Sequence, residues 1–148
     1  MTQMRKNRND YVWDTISSVE ELGRIRMAAM DTFLADFNAG KNDGRYIAGK
    51  LPLLPFEGGS FDIALSSHLL FLYSAYFSAE FHLHALQEML RVSSEVRVFP
   101  TVTLDGSPSP HLNFVTKYLV CHGFDAEIKR VPYEFQRGGN EILLVKPV

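Results

Sequence analysis

The first regular pattern along the chain is helical. Leu22, Ile25, Ala29, Phe33 and Phe37 recur every three or four residues, the spacing that gathers side chains on one face of a helix. Ser18 followed by Glu21 has the spacing of a capping box, in which side chains satisfy the first free N–H groups. Asn38-Ala39-Gly40 offers a terminus, because glycine tolerates the left-handed conformation there. The pattern predicts a helix from Val19 to Asn38. Gly44 to Gly49 follows as a short strand candidate. Leu51 to Phe56 holds two prolines, which disfavour a regular element, and Glu57-Gly58-Gly59-Ser60 is a turn signal.

Phe61 to Ser67 is a strand with a continuous apolar core. Such a run suits a parallel strand covered on both faces. The expectation is a buried central strand whose C-terminal tip faces a ligand crevice. Leu69 to Phe77 is dense in apolar and aromatic residues without a clean period. A helix follows from Ser78 to Val92, with Phe81, Ala85 and Met89 on one face and Leu86 and Leu90 beside them. Glu95 to Phe99 is a strand stopped by Pro100, and Leu104 to Ser109 is a turn-rich loop. Ser109 as N-cap, Pro110 at the first helical position and Gly123 at the C-terminus bracket another helix, carrying Leu112, Val115, Leu119 and Cys121. Two strands close the chain, Ala126 to Tyr133 and Glu141 to Lys146, joined through Arg137-Gly138-Gly139-Asn140. No helix separates them, so they form an antiparallel hairpin.

Strands alternating with helices indicate an α/β fold. The expected architecture is a mostly parallel sheet with a C-terminal antiparallel hairpin and helices on both faces. It forms a single domain over residues 1–148, with an N-terminal helical segment at 1–43 and the α/β portion at 44–148. Composition changes this picture little. The 148 residues are 46% hydrophobic and 22% charged, with a net charge of −2, so no general attraction to nucleic acid or membrane is expected. Arg5, Lys6 and Arg8 form a small basic cluster, read with Asp10 as a solvated terminus. No apolar run reaches the roughly 20 residues a bilayer span needs, and no signal peptide is evident, which leaves the cytoplasm as the expected compartment. Cys121 is the single cysteine; it excludes an internal disulfide and, within an apolar helix, reads as a buried inert thiol. The five histidines share no ligating spacing. His82 and His84 point to different faces of one helix, and His111 and His122 stand at opposite ends of another, so no metal is expected.

Two segments carry a resemblance. Leu54-Pro55-Phe56-Glu57-Gly58-Gly59-Ser60-Phe61-Asp62 resembles the LPF-x-x-x-SFD stretch that enters the fourth strand of class I S-adenosylmethionine-dependent methyltransferases. Glu88-Met89-Leu90-Arg91-Val92 is similar to the segment before that family's fifth strand. The resemblance covers roughly residues 44 to 148, the C-terminal portion of the family's Rossmann-like sheet, whose strands run in the order three-two-one-four-five-seven-six. It implies S-adenosylmethionine as cofactor, bound where strand order reverses. The family's glycine-rich loop is absent. Gly58-Gly59 and Gly138-Gly139 are the only glycine pairs, and neither follows a strand and opens a helix. The family's acid after strand two has no counterpart either.

By the resemblance, Leu54, Ser66, Ser67 and His68 border the cofactor, and His68 is a candidate general base with a pKa ordinarily near neutrality. Tyr73, Phe99, Tyr133 and Arg137 are candidates for the methyl acceptor's surroundings, the aromatics as walls and Arg137 as a grip on an anion. The plainer alternatives are capping for the serines, core packing for His68, Tyr73 and Phe99, and a hairpin tip for Tyr133 and Arg137. Two functions stay open. One is methyl transfer to an unidentified acceptor, with a truncated and inactive chain left open. The other is a non-catalytic module, acting by association and expected to be a homodimer, because strand Phe61–Ser67 would have an unpaired edge.

Overall fold

The computed structural model describes residues 7–148, which divide into two compact units at Gly49/Lys50. In the first unit, helix α1 spans Val19–Asn42. Ser18 caps it as expected, its Oγ accepting the N–H of Glu21 at 3.1 Å. The Glu21 carboxylate turns back one residue further than a capping box requires and accepts the N–H and hydroxyl of Ser17.

Two expectations fail in this unit. The helix runs past Asn38, because Gly40 is not its stop. The ring of Tyr46 lies against Gly40, where a Cβ would collide with it; the glycine is there for close approach. The left-handed glycine is Gly44, at φ 72°. The strand expected at Gly44–Gly49 does not form either. Instead Arg45 forks onto the Asp36 carboxylate, and the Tyr46 hydroxyl donates to it at 2.6 Å. Those bonds, the Arg45 one foremost, pull Asp36 down to about 2. The predicted apolar stripe exists, but only Leu22 is buried; Ile25, Phe33 and Phe37 are exposed.

The second unit is α/β. Strand β1 (Phe61–Ser67) is followed by α2 (Ala79–Val92), β2 (Ser93–Phe99), α3 (Leu112–Cys121), β3 (Phe124–Arg130) and β4 (Glu141–Pro147). The four strands form one open sheet in the order β1-β2-β4-β3. Only β1 and β2 pair in parallel; β4 runs antiparallel to both β2 and β3. The sheet is therefore mixed, not mostly parallel, because the hairpin strand β4 returns between β2 and β3 rather than outside them. The hairpin itself forms as expected, although β3 starts two residues earlier and ends at Arg130, leaving Tyr133 outside it.

One face of the sheet holds the core. Val96 and Val98 of β2 and Leu143 and Val145 of β4 are fully buried, packed with Leu86 and Met89 of α2 and Val115 and Leu119 of α3. Both helices of this unit lie on that face, which corrects the expectation of helices on both. The alternate side chains of β2, β3 and β4 include Glu95, Arg97, Asp125, Glu127, Lys129 and Lys146, a charged face with ion pairs such as Lys129–Glu127 at 2.9 Å and Lys146–Asp125 at 3.7 Å. Such a face is at home in water.

β1 is an edge strand, not the buried central strand its apolar run suggested. Phe61, Ile63 and Leu65 are exposed, Leu65 by 71%. Three smaller differences follow from packing. α3 starts at Leu112, not Pro110; Ser109 Oγ accepts the His111 N–H at 3.2 Å in the turn that precedes it and bonds the Ser74 hydroxyl at 2.7 Å. β2 starts at Ser93, whose hydroxyl closes the preceding helix on the Met89 carbonyl. Cys121 is exposed rather than buried, since Val115 and Leu119 mark the core-facing side of α3 and a residue two places on points away. Among the described residues no helix is long and apolar enough to cross a membrane.

Candidate functional site

β1, β2 and β3 all run the same way, so the loops leaving their C-terminal ends gather at one end of the sheet. These loops span 68–78, 100–111 and 131–140. They are knitted together by backbone. Leu104 N–H donates to Leu72 O at 3.1 Å, and the Gln136 amide donates to the carbonyls of Thr103 and Leu104 at 3.0 and 3.1 Å.

Four of the candidate residues meet here. Ser67 and Phe99 are register partners at the ends of β1 and β2. Ser67 Oγ lies 2.7 Å from His68 Nδ1, the His68 ring stands edge-on to Phe99 at 5.7 Å, and Phe99 is 6.0 Å from Tyr133. His68 adopts φ 58° and its N–H donates to Phe99 O at 2.7 Å. A left-handed non-glycine residue at a strand end costs roughly 1–2 kcal/mol, held here by the surrounding bonds. Tyr73 pairs instead with Tyr76 at 6.2 Å. Arg137 sits in the hairpin turn, whose backbone passes close to Gly106; Glu134 shapes that turn by accepting from the Gly138 N–H and the Asn140 amide at 2.8 and 3.0 Å.

Leu54 and Ser66 line a groove of about 420 Å³ along the outer edge of β1, which Ser67 also borders. Leu51, Leu54 and Phe56 form one wall, β1 another, and Met89 and Val92 of α2 the floor. Ser66 is buried, and its Oγ has no hydrogen-bond partner among the described residues. A buried hydroxyl is normally satisfied, so this one can bond a polar group that enters the groove.

The groove's wall is pinned by Glu88 and Arg91. Glu88 accepts the Leu54 N–H at 2.7 Å, Arg91 bonds the same carboxylate at 2.7 and 2.8 Å, and it reaches the Phe56 carbonyl at 2.9 Å. This is the physical content of the Glu88-to-Val92 segment. A carboxylate and a guanidinium one helical turn apart clamp the proline-rich segment, which has no regular structure to hold it. The Arg91 bonds, then the Leu54 N–H, take Glu88 down to about 2 from 4.5. A depressed carboxylate adds stability above pH 4.5 that is lost as pH falls through about 2. Glu88→Gln should therefore melt lower than the parent at pH 7, and the gap should narrow by pH 3 and close only as pH falls through about 2. Thermal unfolding at pH 7, 4 and 3 checks this; a constant gap would refute the clamp.

Sequence reasoning missed a second polar network, which supports the loop after β1. His82 on α2 is fully buried; its Nε2 accepts the Phe71 N–H at 3.0 Å and its Nδ1 faces the Ser78 carbonyl at 2.7 Å. Ser74 Oγ donates to the Phe71 carbonyl at 2.6 Å, and His111 Nε2 faces the Ser74 carbonyl at 3.1 Å. Phe71, at φ 66°, is thus held on both sides of its peptide group. The only sequence signal was a histidine among apolar residues on a core-facing helix.

The chain is similar to the uncharacterized protein MJ0045 of Methanocaldococcus jannaschii, with 32% identity over 139 residues. The match takes in 94% of this chain but 60% of that protein, so the chain spans about three fifths of the length of the curated relative it matches. No family model and no solved structure matches the chain.

Proposed function

We propose that the chain is the C-terminal portion of a Rossmann-like class I methyltransferase, whose site lies at the C-terminal ends of β1 and β2. The observation that carries this reading is the strand order. β1-β2-β4-β3, with one parallel pairing followed by two antiparallel ones, matches four-five-seven-six of the family sheet, in which the last strand slips between its two predecessors. The greater length of the relative fits a whole protein that carries more sheet than this chain does.

S-adenosylmethionine supplies an electrophilic methyl group on sulfur, and its transfer depends on aligning donor and acceptor more than on strong acid–base chemistry. The residues present fit one end of that molecule only. The apolar groove beside β1 and the unsatisfied Ser66 hydroxyl suit a flat heteroaromatic base with a hydrogen-bonding edge. The ribose hydroxyls and the charged amino-acid end need the glycine loop and the acid, and this sequence has neither. No methyl-transfer step is therefore derived for the chain alone. In the whole protein, Ser67 and His68 would sit beside the acceptor, with Phe99 and Tyr133 as its walls and His68 positioned to receive a proton. The cytoplasm is the compartment this reading favours.

The test is a titration of the folded chain with S-adenosylhomocysteine to millimolar concentration, followed by backbone amide shifts. Binding should perturb Leu54, Ser66, Ser67 and His68, and Ser66→Val should weaken it. An unperturbed spectrum overturns the reading for this chain.

A further inference from the structure

We infer that the chain, on its own, forms a two-fold dimer by antiparallel pairing of β1 with β1 of a second copy, in the register that places Ala64 on the symmetry axis. The inference does not depend on the methyltransferase reading and competes with it for the Ser66 hydroxyl; it concerns what the open edge does when neither a ligand nor another strand covers it.

Natural sheets protect their edges with proline, lysine, bulges or shortness. β1 has none of these. It is seven residues long, Phe-Asp-Ile-Ala-Leu-Ser-Ser, and regularly paired with β2 along its length. Its open-face side chains Phe61, Ile63 and Leu65 are exposed, whereas the same face on β2 to β4 carries ion-paired charges. Ile142 and Leu144 of β4 share that face but are half-buried among these charges, so its exposed apolar side chains are those of the edge, where a neighbouring strand would lie.

The register identifies the second copy as the occupant. A symmetric antiparallel pair keeps each side chain on the correct face only when the axis passes through a residue; a one-residue slip of the partner puts core-facing residues opposite open-face ones. Three axes are available near the middle of the strand. With the axis at Ala64, Ile63 lies opposite Leu65 of the second copy and Leu65 opposite its Ile63, a four-residue apolar patch on the open face. On the other face, Asp62 lies opposite Ser66 of the second copy. Directly opposed residues have Cβ atoms roughly 4.5–5.5 Å apart, within reach of a hydroxyl-to-carboxylate hydrogen bond. The Ser66 Oγ, which has no hydrogen-bond partner among the described residues, gains an acceptor, and it does so twice by symmetry. An axis at Ile63 puts Ser66 opposite Ser60, beyond the strand, and an axis at Leu65 puts it opposite Ala64. Only the Ala64 axis satisfies the apolar and the polar residues together. The result is one continuous eight-stranded sheet.

Light scattering at tens of micromolar should give a mass twice the 16.8 kDa of the chain. Leu65→Lys changes a side chain that is 71% exposed, so it leaves the fold intact; it should raise the dissociation constant at least tenfold. Asp62→Ala should weaken association several-fold, and Ser66→Ala likewise. Ala64→Cys, made with Cys121→Ser, should give a reducible cross-linked dimer under mild oxidation, because directly opposed strand residues fall within disulfide reach. A monomer at these concentrations overturns the inference. So does a dimer that Leu65→Lys leaves intact but Phe33→Ser on α1 dissociates, which would move the contact to the helix stripe. Cross-linking from Ile63→Cys but not from Ala64→Cys overturns the register.

Discussion

His82→Leu should cost about 2–4 kcal/mol of unfolding free energy, the range for leaving buried polar groups unsatisfied. At 4–8 °C per kcal/mol for a unit of this size, that is a fall of roughly 8–32 °C in melting temperature. Leucine fills a similar volume but accepts no hydrogen bond. The Phe71 N–H, which now donates to Nε2 at 3.0 Å, would be left unpaired inside the core. Phe71 has no easy alternative, because its backbone is already left-handed and its ring stacks on His82 at 5.2 Å. The loop from His68 to Phe77 would loosen with it, and that loop carries one wall of the candidate site.

The same geometry sets a pH dependence. With Nε2 accepting and Nδ1 facing a carbonyl, His82 is neutral; burial, opposed by the Ser78 carbonyl and aided by the charge of nearby His111, holds its pKa below the usual 6.5. A depressed histidine contributes stability that is fully present above 6.5 and is lost as pH falls from there through the folded value. Protonation would put a second N–H against that of Phe71. Urea unfolding at pH 7.5 and 5.5 should show the parent losing stability between the two, with the slope reduced in His82→Leu. Equal slopes in both proteins would mean that His82 is not the group responsible.

Most of the strand and helix order was legible in the sequence because its signals are local. Ser18 and Ser78 cap the helices they precede, the Phe61–Ser67 run is a strand over those same residues, and Gly123 follows α3 in a left-handed conformation. Position in the sheet was not legible. Phe-Asp-Ile-Ala-Leu reads the same whether the strand is covered on both sides or lies uncovered at an edge, since the letters record an affinity for burial and not whether burial is achieved. Gly40 misled for a related reason: a glycine near a helix end serves either as a cap or as room for a ring, and Tyr46 decides which. In the site, Ser67 and His68 were legible as the end of a strand. The bonds joining Phe71 to His82 and Ser74 to Ser109 were not, because they cross 11 and 35 residues of chain and only the fold brings those groups together.

Leu143→Ala should be among the most damaging truncations in the sheet, costing about 3 kcal/mol, within the 2–5 kcal/mol seen when a fully buried leucine leaves a cavity. Leu143 pairs with Val98 on one side and Ile128 on the other, so it anchors both joins of the inserted strand. Its side chain is fully buried in the core shared with α2 and α3. Against a typical domain stability of roughly 5–15 kcal/mol, that loss would leave the unit marginal. Leu65→Ala removes the same atoms from a side chain that is 71% exposed, and in the monomer it should cost well under 1 kcal/mol. The pair separates the two faces experimentally. If denaturant midpoints show Leu65→Ala to be as costly as Leu143→Ala at concentrations where the chain is monomeric, then the open face of β1 is covered from within the chain, and the free edge on which the dimer depends does not exist.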